Sequence, residues 1–335
     1  MGLMRYVSLR VLTALPMIFI LISVLFLVLR VLPGDPAIAL LGQQASEAQL
    51  EAVRHAYGLD QPLYVQYERY WVDLLKGDFG LTIDTRVPVI SEIERAFPTT
   101  LELTIGATIS AALFGISMGA LSCWKRDRWP DHVIRAANLI FFSIPVFWAG
   151  ILGQLVFGRY LGILPIYGRL DPGLTVQRIT GMYVLDSILT GNIPAFADSI
   201  WHLLLPCLTL GMFLGALISR LTRSNLVDAL GESYVFTARA KGLSEGKVIL
   251  DHALPNALLP VISILGLQVA GLIGGAVVTE TVFSLPGIGT RLVLALLTRD
   301  YGVVQATVII FALTTTIASI VVDVLYSILD PRVRY

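Results

Sequence analysis

The stretch GESYVFTARAKG (residues 231–242) and its continuation LSEGKVILDHALP (residues 243–255) form a polar segment between two long apolar runs. The first part consists largely of helix-forming residues, and Gly242 ends that pattern. Ser244 can cap a second helix, which Pro255 then separates from the following span. The pattern predicts a short helix on a membrane surface, joined at a glycine to another helix. We interpret it either as an amphipathic interfacial helix or as a surface that another protein grips.

The composition of the whole chain is that of a membrane protein. Apolar residues make up 56% of it and charged residues 14%, and the mean hydropathy is +0.76; soluble domains carry about a quarter charged residues. Apolar runs of about 20 residues can cross a bilayer, and in lipid such runs must be helical. We therefore predict an all-α membrane protein with six transmembrane helices. The predicted spans are 9–32, 100–124, 134–157, 203–218, 258–278 and 304–328.

Basic residues set the predicted orientation. They gather in the N-terminal tail, after the second and fourth spans, and at the C-terminus. By the positive-inside rule, both termini are cytoplasmic. We divide the chain into a tail with the first span (1–32), an external loop (33–98) and a transmembrane domain (99–335) that contains the polar segment (231–257).

The external loop carries two predicted helices. Ser46 can cap the first, which Gly58 ends, and Pro62 opens the second, which Gly77 ends. Residues 91–97 form a short helical lead into the second span. The second helix has an apolar face that predicts a packed cap, a surface for an external partner, or both. That face consists of Leu63, Tyr67, Tyr70, Trp71 and Leu74.

Glycine pairs four residues apart recur in the apolar runs. Gly115-x-Ser117-x-Gly119 matches a hydrolase nucleophile elbow, but that motif needs a strand, a sharp turn and a helix. We interpret it instead as a face of small residues for close helix packing. The same spacing is found at Gly211 with Gly215 and at Gly271 with Gly275.

The sequence contains little that would support chemistry. Residues 242–248 match a phosphate loop only in part, because one glycine is misplaced and no Ser or Thr follows the Lys. The four histidines are scattered, and Cys123 and Cys207 lie in apolar surroundings that favour free thiols over a disulfide. The net charge of zero gives no indication of nucleic-acid binding. We expect neither an enzyme active site nor a metal site in this chain.

Charges near the membrane are sparse. Glu102, Glu280 and Asp323 lie near span ends, where a structural pairing role is the expected one. An ion-coupled secondary transporter would need deeper pairs and inverted repeats. That class and an intramembrane hydrolase built on Ser117 are two interpretations that stay open at this point.

Residues 234–242, followed by Leu254-Pro255, closely resemble the EAA loop of ABC-importer permeases. In that loop a Leu-Pro pair follows a glycine by some twelve residues, and the TARAKG wording is typical of the dipeptide, oligopeptide and nickel branch. The Glu of the general motif falls at Phe236, so the match there is partial. Further stretches resemble the same branch: LPGDP (32–36), YGLDQP (57–62), GDFG (77–80), RLTRS (220–224), ETVF (280–283), RDY (299–301) and DPR (330–332).

The resemblance implies the first of two paired permease subunits, with the type I ABC importer fold and a helical external loop after the first span. It implies a pore in a bacterial or archaeal cytoplasmic membrane that works by alternating access and binds no cofactor, because ATP and Mg belong to partner subunits. The implied partners are a sister permease in a pseudo-twofold heterodimer, two ATP-binding subunits and an external solute-binding protein. The implied cargo is di- or oligopeptides, with nickel complexes, glutathione or another small solute as alternatives.

The resemblance also assigns residues. The helical pattern itself already predicts an apolar docking face formed by Tyr234, Val235, Ala238 and Leu243. The ATPase-coupling set is Tyr234, Thr237, Ala238, Arg239, Lys241, Gly242, Leu243, Leu254 and Pro255. The predicted translocation path is lined by Phe141, Pro145, Gln268 and Glu280.

Overall fold

A computed structural model describes residues 3–31, 38, 45–56 and 58–329. Within these residues the chain is helical and has no β-strand, only an isolated bridge between Leu81 and Pro88. The LPGDP and DPR stretches, Tyr57 and the side chain of Asp323 lie outside this description. The helices are α1 (Leu3–Val31), α2 (Glu47–Ala56), α3 (Leu63–Leu75), α4 (Val89–Trp124), α5 (Trp129–Ser143), α6 (Val146–Gly153, continued by a π-helical Gln154–Tyr160), α7 (Tyr183–Leu189), α8 (Ile193–Ala229), α9 (Ser233–Ala240), α10 (Glu245–Lys247, continued by a π-helical Val248–Ala253), α11 (Leu254–Val282), α12 (Ile288–Thr298) and α13 (Tyr301–Leu329).

The predicted number of spans is confirmed, but the third span is not one helix. Five long apolar helices can cross a membrane, and α5 with α6 makes a sixth span that bends by 107°. The bend lies at Ile144 and Pro145. A proline cannot continue a helix and pushes the residue before it into extended backbone, which Ile144 adopts with φ −84° and ψ 130°. The prediction of a continuous helix over 134–157 is therefore wrong.

Helices α8 and α4 extend furthest beyond their predicted bounds. The fourth span, predicted over 203–218, is the middle of the 37-residue α8, and Pro206 lies inside that helix without ending it. The extra turns contain polar residues, so a search for apolar runs does not include them. Asn192 caps the first of these turns by accepting the N–H of Ala195. Residues 91–97 are the first turns of α4 rather than a separate helix.

The predicted caps of α2 and α3 are confirmed. The backbone N–H of Ser46 donates to Gln49 Oε1 at 2.9 Å, and Ser46 Oγ accepts the N–H of Gln49, which forms a capping box. After the two helices, Gly58 and Gly77 adopt the left-handed backbone with φ +64° and +73°. Local sequence therefore sets both ends of this hairpin.

The aromatic face of α3 packs on α1. Tyr67 meets Phe26 edge-on with the ring centroids 5.2 Å apart, and Trp71 stacks on Phe19 at 5.0 Å. Leu63, predicted on the same face, stays exposed. The cap interpretation is thus confirmed for the central residues of this face.

Helices α4 and α8 lie in backbone contact through glycines. A Cβ added to Gly115 would come within 2.6 Å of Ile218 and 2.8 Å of the carbonyl oxygen of Gly215. Gly119 and Gly211 approach α8 and α4 equally closely, so the packing interpretation is confirmed for both motifs. At Gly271 and Gly275 an added Cβ would find its nearest neighbours at 3.6 and 3.4 Å, so the part of this chain that the structure describes offers them no close partner helix and their packing role stays a prediction.

We expect Gly115→Ala to force α4 and α8 apart and to destabilise the protein by about 1–3 kcal/mol, the usual cost of overpacking. The matched variant is Gly274→Ala, where an added Cβ meets nothing within 4 Å. Thermal unfolding in detergent checks the difference. Equal melting temperatures for the two variants would show that the close approach is not needed.

The bundle has two polar ends. One end carries the segment 231–257 and is called the elbow end below. The opposite end, the loop end, carries α3, α7 and α12. Between the ends, α4, α8 and α11 bury a central core that includes Leu103, Leu210 and Ala276. Cys123 and Cys207 are free and buried, as predicted.

Candidate functional site

The elbow end is held by a core of its own. Helix α9 turns Val235 and Ala238 inward, where they are 0% and 6% exposed. Burying a valine contributes about 1.5–3 kcal/mol, so α9 is fixed to the bundle rather than loosely attached. The elbow core consists of Cys123, Leu226, Ala229, Val235, Ala238, Val248, Ile249, Ala253 and Ala257.

Gly242 and an ion pair set the angle after α9. Gly242 adopts φ +76° and donates its N–H to the carbonyl of Arg239 at 2.9 Å. An added Cβ would meet nothing within 4 Å, so the backbone conformation and not space favours glycine here. Arg239 reaches across the turn to Glu245, with Nη2 2.5 Å from Oε1, and this hydrogen bond raises the pKa of Arg239 above its ordinary value.

Beyond the turn the chain is helical from Glu245 to Val282, so the predicted break at Pro255 is wrong. Pro255 lies in the first turn of α11, and the π-helical segment before it carries the chain past the missing N–H, with the N–H of Leu254 donating to the carbonyl of Ile249. Ser244 occupies the predicted N-cap position, although its side chain makes no capping hydrogen bond. The elbow therefore continues into α11 without a non-helical break.

The predicted coupling residues divide by exposure. Ala238 is wrong as a contact residue, and so is Val235 as part of the docking face, because α9 must bury one side and these residues form it. Phe236, absent from the predicted set, is 59% exposed. Val235 and Ala238 are three residues apart and therefore share one side of the helix, which places Phe236 on another side; this spacing is the signal that could have revealed Phe236. Tyr234, Thr237, Lys241, Gly242 and Pro255 are exposed, and Arg239, Leu243 and Leu254 are partly buried.

Glu280 is buried and does not line an open path. Thr100 Oγ1 donates to its carboxylate at 2.5 Å and the N–H of Thr290 donates at 3.1 Å. The carboxylate thus joins α11 to α4 and α12 at the loop end, and the prediction that it faces a path is wrong in this structure. Its role is the structural pairing expected of span-end charges.

The other predicted path residues lie in different local surroundings. Phe141 packs edge-on against Phe114 with centroids 6.0 Å apart, Pro145 lies exposed at the bend before α6, and Gln268 is partly buried in α11. The assignment of these three residues to the translocation path stays a prediction.

A buried ion pair fixes the loop end. Arg169 Nη2 lies 2.6 Å from Glu102 Oε2, and the two side chains are 6% and 7% exposed. Glu102 also accepts the N–H of Val184, while Arg169 donates to the carbonyl of Gly181 and lies over the ring of Tyr183. The pairing role expected of Glu102 is confirmed, and α4 anchors the loop between α6 and α7.

Comparison with known proteins identifies the family of this chain. A model described as the inner membrane component of binding-protein-dependent transport systems matches residues 111–335, and a model for the N-terminal part of such components matches residues 3–104. The chain belongs to this family. The all-α, multi-pass, inner-membrane permease of type I is thereby confirmed.

The permease is similar to relatives over nearly its full length. It is 39% identical to the dipeptide transport system permease protein of Alkalihalophilus pseudofirmus over 332 residues, which cover 99% of this chain and all of the relative. It is 43% identical to a probable D,D-dipeptide transport system permease protein of Escherichia coli over 309 residues, 92% and 91% of the two chains. A glutathione transport system permease protein of Escherichia coli is 40% identical over 99% of each chain.

Family membership excludes the two alternative classes. A binding-protein-dependent permease is neither an ion-coupled secondary transporter nor an intramembrane hydrolase. Ser117 agrees with this conclusion, because its Oγ donates to the carbonyl of Leu113 at 2.6 Å, the usual bond of a helical serine.

Proposed function

We propose that this permease is the first of two pore subunits in an ATP-driven importer that carries di- or oligopeptides across the cytoplasmic membrane by alternating access. Full-length similarity to permeases named for dipeptide transport supports the cargo. The observation that carries the coupling mechanism is the exposed aromatic side of α9, with Phe236 and Tyr234, on a rigidly held elbow.

The elbow transmits the work of the ATPases. Each permease rests the exposed side of α9 in a groove of an ATP-binding subunit, and closure of those subunits on ATP pulls α9. The elbow core and the Arg239–Glu245 pair pass the movement to α11. At the far end, Glu280 links α11 to α4 and α12. Two distant sites are thereby coupled through elements that move as units.

The remaining parts of the assembly follow from the same proposal. A sister permease completes the pore as a pseudo-twofold heterodimer, and a solute-binding protein docks on the loop end. ATP and Mg are held by the ATPase subunits, and this chain binds no cofactor. The basic residues near the elbow end support cytoplasmic termini. Co-purification of two ATP-binding subunits and a second permease with this chain tests the composition.

Glutathione is the second candidate cargo, since a relative named for glutathione transport is as similar as those named for dipeptides. Uptake of radiolabelled dialanine, glutathione and a nickel complex into proteoliposomes of the complete transporter separates the candidates. ATP-dependent accumulation of dialanine with its binding protein is the expected result. Accumulation of glutathione or nickel alone would contradict the peptide cargo.

We expect Phe236→Ser to weaken the grip of the ATPase. A well-packed aromatic contact residue contributes about 2 kcal/mol or more, roughly 30-fold in affinity. Affinity of the purified ATPase subunits for the permease pair in nanodiscs measures the loss. Phe236→Leu should keep most of the affinity, and Leu75→Ser, which changes an even more exposed apolar residue at the loop end, should keep all of it. If Phe236→Ser left the affinity for the ATPase subunits unchanged, α9 would not be the surface that contacts them.

A further inference from the structure

A cavity of about 260 Å³ opens at the loop end and belongs to neither the elbow nor the predicted path. It lies between the first turns of α4, the loop before α7 and the start of α12. Four arginines and a single glutamate form its charged lining. These residues are Glu92, Arg95, Arg169, Arg178 and Arg291.

Two of the arginines keep their charge uncompensated. Glu92 forms an ion pair with Arg291, and Arg169 pairs with Glu102 behind the cavity wall. In the part of the chain that the structure describes, Arg95 and Arg178 have no acidic side chain within ion-pair distance. Both are exposed and form the mouth of the cavity.

Two donor atoms that bond to no described residue lie directly beneath the floor of the cavity. Thr99 is fully buried and its Oγ1 has no hydrogen-bond partner within the described part of the chain, although a helical threonine ordinarily donates to the carbonyl four residues earlier. Arg169 is only 7% exposed, and its Nε likewise has no partner among the described residues. Nitrogen and hydroxyl donors thus line both mouth and floor. The fitting ligand is an anion with several acceptor atoms.

The loop that carries Arg178 is built before any ligand arrives. Asp186 accepts the backbone N–H groups of Ile179, Thr180 and Gly181 at 3.1, 2.7 and 2.9 Å. Arg178 itself donates to the carbonyl of Glu94 on α4 at 3.0 Å. Such preorganisation lowers the cost of ordering a site on binding.

We infer that this cavity binds the free carboxylate of the transported solute as the solute passes from the binding protein toward the pore. A carboxylate accepts a bidentate pair of bonds from an arginine at the mouth and further bonds from Thr99 and Arg169 at the floor. Every unmodified peptide carries such a group at its C-terminus. The inference rests on the proposed function and adds a specificity element within the permease itself.

Direct binding is tested without the binding protein. Saturation-transfer NMR on the complete transporter in nanodiscs compares L-alanyl-L-alanine with its C-terminal amide. We expect the free acid to give a signal about fivefold stronger than the amide, because only the acid forms charge-assisted bonds, and the Arg95→Gln, Arg178→Gln double variant to lose that excess. Arg135→Gln, which changes an exposed arginine of α5 outside the cavity, should behave as wild type. Equal signals for acid and amide would overturn the inference.

Thr99→Val separates binding from folding. The Thr99 hydroxyl has no partner among the residues that the structure describes, so its replacement by a methyl group of the same shape leaves the fold as stable or stabilises it. We expect an unchanged or higher melting temperature with an acid signal reduced by about threefold or more, as the loss of one hydrogen bond predicts. A signal from the free acid as strong in Thr99→Val as in wild type would show that Thr99 does not contact the carboxylate.

Three further outcomes distinguish this inference from the proposed function and from another ligand of the cavity. If the wild-type transporter imports no peptide, the proposed function fails, whatever the NMR result. If it imports dialanine, and the double variant imports as fast with the acid signal intact, the carboxylate site alone fails. If the double variant keeps the acid signal but the peptide-loaded binding protein docks about tenfold more weakly, the cavity receives an acidic side chain of that protein and the inference is overturned.

Discussion

Gly242→Pro is expected to abolish uptake, by about 100-fold or more, while the protein still enters the membrane. Proline fixes φ near −65° and lacks an N–H, whereas Gly242 has φ +76° and donates to Arg239. The turn must therefore rearrange, which displaces α9 and separates Arg239 from Glu245. Solute uptake and stimulated ATPase activity in proteoliposomes measure the loss, and yield in the membrane fraction measures insertion.

Two alanine variants calibrate this result. Gly242→Ala must hold a side chain in the left-handed region, which costs about 1–2 kcal/mol, so an intermediate loss of uptake is expected. Gly246→Ala is the matched control, because Gly246 has ordinary backbone angles and open space around it. Wild-type uptake in Gly242→Pro would show that the elbow angle does not matter for coupling.

The inward position of Ala238 changes how the elbow should be tested. A charge at this residue would be an obvious way to disrupt a contact surface. In the folded protein that charge would enter the elbow core beside Val235 and Val248. A loss of uptake would then report local unfolding, so Phe236 is the residue that isolates the contact.

The features that the sequence predicts correctly depend on residues close together in the chain. The number of spans follows from the length of apolar runs, and the ends of α2 and α3 follow from Ser46, Gly58, Pro62 and Gly77. Each of these signals lies within one or two helical turns. They needed no knowledge of neighbouring elements.

The features that the sequence did not predict depend on contacts between residues far apart in the chain. Arg169 and Glu102 are 67 residues apart, and Arg223 pairs with the buried Asp131 across 92 residues. Pro145 by itself does not decide between a break and a continuous helix, because Pro206 lies inside α8 without ending it; the bend of 107° depends on packing against α8 and α11. Which side of α9 is buried likewise depends on the elbow core, so Phe236 was missed.

The Arg169–Glu102 pair supports the largest expected effect on stability. Arg169→Met would leave the carboxylate of Glu102 buried without its cation, and removal of one partner of a buried pair costs about 3–5 kcal/mol. Thermal unfolding in detergent measures the loss. The exposed pair of Arg239 and Glu245 is the control, because breaking such a pair costs about 1 kcal/mol or less.

A double variant shows why the loss arises. When Arg169→Met is combined with Glu102→Gln, no uncompensated charge remains, and the amide oxygen of the new side chain can still accept the N–H of Val184. We therefore expect the double variant to recover most of the stability that Arg169→Met loses. If the losses of the two single variants simply added, the pair would not be coupled, and the anchoring of the loop before α7 would have to come from Asp186 and its backbone donors instead.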